Sequence, residues 1–68
     1  MGIKMYKLQY YRKKKGLSQN DMALKLGMSV HGYRKYEQGI RRMSLETAFK
    51  IKTILQVDHI EDFLENAI

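Results

Sequence analysis

The sequence contains no cysteine and no proline. Without cysteine there is no disulfide and no thiolate ligand for a metal. The two histidines, His31 and His59, do not make a structural zinc site by themselves, so neither a metal nor a cofactor is expected. The absence of disulfides is compatible with a reducing compartment. Long apolar runs are also missing. No stretch approaches the about 18 apolar residues that a membrane-crossing helix needs. Met1–Lys4 is followed by tyrosines and lysines instead of the apolar core of a secretory signal. Low-complexity tracts, internal repeats and linkers are absent, and 68 residues leave room for a single domain over 1–68. A core this small requires very regular helix packing, with dimerisation as a further aid.

Acidic residues are scarce and unevenly placed. Thirteen Lys and Arg stand against seven Asp and Glu, a net charge of +6. Residues 1–16 carry +6, residues 17–43 carry +3 and residues 44–68 carry −3. A basic front and an acidic end suggest a surface that faces a polyanion and a separate end that does not. This balance disfavours a disordered acidic chain.

What is present reads as helices punctuated by glycine. Gly16, Gly27 and Gly39 each follow a helix-like stretch, at the place where a left-handed residue ends a helix. Helix one is expected from Met5 to Lys15, with Met5, Leu8 and Tyr11 on its apolar face. Helix two begins after Ser18, with Asp21 three residues on, and buries Met22, Ala23 and Leu26. Ser29 caps helix three, Val30 to Gln38, which turns Tyr33 and Tyr36 inward. Gly32 lies inside that helix and weakens it by up to about 1 kcal/mol relative to alanine. Ser44 caps helix four, Leu45 to Gln56, with a stripe of Leu45, Ala48, Ile51 and Leu55 and with Phe49 and Ile54 beside it. Asp58 and Glu61 form a capping arrangement for a fifth short helix. Its residues Ile60, Phe63, Leu64, Ala67 and Ile68 recur at amphipathic spacing. The expected fold class is all-α, five short helices.

The stretch Gln19 to Gln38 carries the most information. Two short helices meet at a tight turn at Gly27, with a small residue, Ala23, where the helices must pass closely. This is the steric pattern of a helix-turn-helix, although a generic helical hairpin would share it. The frame Arg12, Gly16, Leu17, Ser18, Gln19, Ala23, Gly27, Ser29, then Tyr36, Glu37 and Gly39, resembles the phage repressor–Cro, or Xre-like, DNA-binding family. The resemblance runs from about Leu8 to Leu64 and implies a lambda-repressor-like domain in which helices two and three form the motif. Four residues depart from the family pattern: Tyr33 stands where Ile or Val is usual, Gly32 gives helix three a weak first turn or permits close backbone approach to DNA, Met43 stands where proline often precedes the serine, and Lys52 where a small apolar residue is common. The Tyr33 hydroxyl must find water or a partner.

The resemblance implies that helix three enters the major groove of double-stranded DNA. Val30, His31 and Lys35 would then face bases, with Val30 restricted to apolar contact such as a thymine methyl. Gln19, Ser29, Gly32, Arg34, Arg41 and Arg42 would contact the backbone or flank the readers. Arg12 and Glu37 would form a structural ion pair joining helix one to the end of helix three. The implied function is a sequence-specific transcriptional regulator, a repressor, acting as a homodimer on DNA in the cytoplasm of a bacterium or as a phage product at the nucleoid. The C-terminal region, through Phe63, Leu64 and Ile68, is the candidate dimer surface, unless those side chains simply pack on helices one and four.

The same residues bear on other functions. An antitoxin that binds a toxin and its own operator would use the same domain. A single-strand or RNA binder would stack bases on tyrosines, but the inward spacing of Tyr11, Tyr33 and Tyr36 opposes it. An enzyme is not expected, because no paired carboxylates, nucleophile–base set or phosphate-cradling glycine loop is present. A membrane-surface helix is disfavoured, since basic and apolar faces are spread over several helices.

Overall fold

The computed structural model describes residues 5–64. Four α-helices follow one another, α1 (Tyr6–Lys14), α2 (Gln19–Leu26), α3 (Val30–Gln38) and α4 (Leu45–Leu55), and a 3-10 turn spans Ile60–Asp62. No strand occurs among the described residues. The all-α class holds, with four helices where five were expected.

Three of the four helix starts follow from local chemistry. Ser18 Oγ accepts the Asp21 N–H at 3.0 Å, while the Asp21 carboxylate accepts the Ser18 N–H at 2.8 Å. These bonds satisfy backbone donors that the first turn of α2 leaves open. The backbone hydrogen bond from Ser18, followed by its side-chain bond, holds the Asp21 carboxyl below its ordinary value. Ser29 Oγ accepts the Gly32 N–H and Ser44 Oγ accepts the Thr47 N–H, both at 3.1 Å. No side chain caps α1. Instead the Met5 N–H donates to the Glu37 carbonyl at 2.9 Å, which ties the start of α1 to the end of α3.

The turn between α2 and α3 is set by Gly27, at φ +68°. A side chain there would strain a left-handed residue, and this conformation lets the Met28 N–H return to the Ala23 carbonyl at 3.0 Å. Ala23 is buried, so the two helices meet closely.

The core contains Leu8, Met22, Tyr33, Ile51 and Phe63, all fully buried, with Met5, Ala23, Tyr36, Ala48 and Leu55 around them. Several expectations change here. On α1 the buried positions are Met5, Leu8 and Arg12, while Tyr11 is only half-buried. On α4 the stripe is Ala48, Ile51 and Leu55; Leu45 and Phe49 are exposed. At about 100° per residue, Phe49 lies well around the helix from Ile51, and Leu45 sits in the first turn, at the edge of the layer. The expected cap at Asp58 and Glu61 shifts by one residue, because the Asp62 carboxylate accepts the His59 N–H at 3.2 Å. Phe63 is buried at 0% exposure, so it belongs to the core and is not a free dimer surface. Leu64 is half-buried against the same core, and Ala67 and Ile68 lie outside the described residues.

Candidate nucleic-acid interface

The outer face of α3 is built by what its inner face must bury. Tyr33, Tyr36 and Glu37 point into the molecule. At about 100° per residue the opposite stripe is His31, Arg34, Lys35 and Gln38, and all four are exposed. Val30 and Gly32 flank this stripe and are half-buried, Val30 against the core. Arg41 and Arg42 are exposed in the loop after α3.

Below that surface lies a carboxylate that gathers four donors. Glu37 is 2% exposed and Arg12 7%. Arg12 Nε donates to Glu37 Oε2 at 2.6 Å and its terminal nitrogen to Oε1 at 3.3 Å, which confirms the expected ion pair. Another Arg12 nitrogen donates to the Leu17 carbonyl at 2.8 Å. The Tyr33 hydroxyl donates to Glu37 Oε2 at 2.6 Å and so has its partner. Burial opposes the Arg12 charge, but the hydrogen bond and charge of Glu37, with Tyr33, outweigh it and raise the pKa. Burial, then the hydrogen bond and charge of Glu37, push the Tyr33 hydroxyl far above its ordinary value, against the opposing effect of Arg12.

Gln19 joins this buried network to the surface. Its Nε2 donates to Glu37 Oε1 at 3.0 Å, and its Oε1 accepts from Arg34 Nε at 3.0 Å. A carboxylate can only accept and a guanidinium can only donate, so the orientation of the amide between them is settled by chemistry. The chain Arg12–Glu37–Gln19–Arg34 therefore connects α1, α3 and α2, and the bond to Gln19 leaves the terminal NH2 groups of Arg34 available. These residues line a cleft of about 370 Å³ whose walls also include Gln9, Lys13 and Gln38. Its one carboxylate is already paired, so the rim is cationic and amide-rich.

His31, Arg34 and Lys35 share the outer stripe, and Gln19 stands beside it. Ser29 is exposed at the helix start, with its hydroxyl used as a cap. Arg41 turns back along α3, its Cζ 5.0 Å from the centre of the Tyr36 ring. Sequence reasoning missed Gln38, although its spacing from His31, Arg34 and Lys35 is helical. It also missed Gln9 and Lys13. The Arg12–Glu37 pair is the signal that places the neighbours of Arg12 on α1 beside α3.

Residues 8–61 match the helix-turn-helix family. The chain belongs to the helix-turn-helix family. Among solved structures it is similar to the restriction-modification controller protein C.AhdI from Aeromonas hydrophila, at 29% identity and a TM-score of 0.75, over 85% of this chain and 86% of that one. No curated protein matches the sequence. The phage repressor–Cro resemblance drawn from Arg12 to Gly39 therefore holds. This helix-turn-helix protein is a DNA-binding transcriptional regulator with double-stranded DNA as its partner. No helix among the described residues is long and apolar enough to cross a membrane, and no cluster there could hold a metal ion.

Proposed function

We propose that this helix-turn-helix protein is a sequence-specific repressor that lays α3 in the major groove, with residues 1–68 acting as one domain. The observation that carries the reading is the outward stripe of α3: His31, Arg34, Lys35 and Gln38 are exposed, while Tyr33, Tyr36 and Glu37 lock the opposite face into the core. In this reading His31 and Lys35 face base edges, and Val30 touches them from the flank. Arg34 takes a phosphate, with Gln19 holding its guanidinium in place, and Ser29, Gly32, Arg41 and Arg42 border the groove. The likeness to a restriction-modification controller protein supports a regulatory role. The reading includes a homodimer on a two-fold operator, with half-sites about 34–36 Å apart. Phe63 is withdrawn from its contact surface.

A competition titration tests the proposal, using fragments selected from the source genome against random duplex. His31→Ala or Lys35→Ala is expected to reduce discrimination between the two by about 1–3 kcal/mol where a good base contact is lost. Gln19→Ala is expected to weaken both similarly, because phosphate contacts carry no sequence information. Equal binding of selected and random duplex by the unmodified protein would sink the proposal.

A further inference from the structure

Arg41 follows α3 in sequence, yet its guanidinium lies back along that helix. Gly39, at φ +75°, reverses the chain, and the Ile40 and Arg41 N–H groups both approach the Lys35 carbonyl, at 3.1 and 3.3 Å. From there the side chain runs over the Tyr36 ring, 5.0 Å from its centre. It ends against the bare backbone of Gly32, one helical turn earlier. A Cβ at Gly32 would come within 2.9 Å of Arg41 Nη1 and 3.0 Å of Met28 Cε. The missing side chain at position 32 is therefore the space into which the guanidinium fits. At about 100° per residue, Gly32 lies about 60° and Tyr36 about 100° around the helix from Lys35, so the guanidinium held over Tyr36 borders the outward stripe on its Lys35 side.

A loop arginine that only neutralises phosphate needs no fixed orientation, since a point charge suffices. A guanidinium held over an aromatic ring and against Gly32 is a pre-oriented planar fork, the form required for paired hydrogen bonds to guanine O6 and N7. Holding it on an aromatic ring reduces the ordering cost at binding. We propose that Arg41 is a specificity-determining residue that reads a guanine in the major groove next to the bases faced by His31 and Lys35. The proposal rests on the reading of α3 as the groove helix and extends it to a residue outside the helix.

Selection from a randomised duplex library, followed by sequencing, tests it with the full chain and the variants Arg41→Lys, Arg41→Ala and Gly32→Ala. The unmodified protein should yield a motif containing a fixed guanine. Arg41→Lys keeps the charge but loses the fork, so preference at that one position should fall about 5- to 150-fold while the rest of the motif persists. Gly32→Ala, which favours the helix and changes no charge, should relax the same position by displacing the guanidinium. If the Arg41 variants weaken selected and random duplex equally and leave every position of the motif unchanged, Arg41 is a phosphate contact and the proposal is overturned. If the unmodified protein yields no motif, the groove-helix reading itself fails, and this proposal with it.

Discussion

Glu37 accepts hydrogen bonds from Arg12, Gln19 and Tyr33, so its removal leaves several donors without that partner in a buried site. Glu37→Ala is expected to cost about 3–5 kcal/mol, because breaking one side of a buried pair strands the other charge. Replacing Arg12 and Glu37 together by methionine should cost clearly less, and urea denaturation of the three proteins measures the difference. A small loss in the single variant would show that water enters the site. Tyr33 supplies a pH test. Its folded pKa is raised above the ordinary 10.0, so the folded chain retains a proton that the unfolded chain releases. The stability this contributes is complete below pH 10 and is lost at about 1.4 kcal/mol per pH unit as pH rises above that value. Tyr33→Phe should be less stable at neutral pH, and its deficit should shrink in alkaline denaturation curves. The Arg12–Glu37 pair was legible only through family resemblance. The role of Tyr33 was half legible: its burial followed from spacing, but its partner is one turn further along the same helix and becomes evident only once that helix face is known to be dry.

At the scale of elements, the caps were the most readable features. Ser18, Ser29 and Ser44 each start a helix where expected, because a short side-chain oxygen satisfies a local donor whatever the tertiary context. The C-terminal end of α4 was less readable. It ends at Gln56 with φ +56°, a left-handed residue that carries a side chain. Gln56→Gly is therefore expected to stabilise the protein by about 1 kcal/mol, read as a rise in thermal midpoint. The gain should survive loss of the Lys15–Gln56 side-chain hydrogen bond, since that bond is exposed. The misreading of Leu45 and Phe49 has a simple origin. Periodicity marks which residues share a face, but not how far along a helix its neighbours reach. Likewise the amphipathic spacing from Ile60 predicts a helix, although the chain needs only a short turn to bring Phe63 into the core.

Across the whole molecule, charge follows a finer division than the sequence blocks suggested. Of the basic run ending α1, Arg12 is buried in its ion pair, Lys13 lines the cleft beside Arg34, Lys14 lies 5.7 Å from the Tyr10 ring centre, and Lys15 bonds Gln56. The salt dependence of duplex binding should distinguish them. Lys13→Gln is expected to lower the slope of log affinity against log salt by about 0.9, and Lys15→Gln to leave it unchanged. A linear sequence cannot show this, because consecutive helical residues point in different directions. The division of labour within α3 also bears on how such a protein can change its target. The side chains of His31, Lys35 and Gln38 are exposed, so their identities can be rewritten at little cost to folding. Arg34 differs, because its partner Gln19 also serves the buried carboxylate. On the proposed reading of α3 as the groove helix, new binding preferences are open to drift at those three positions and held back at Arg34, where a change disturbs the scaffold that presents the others.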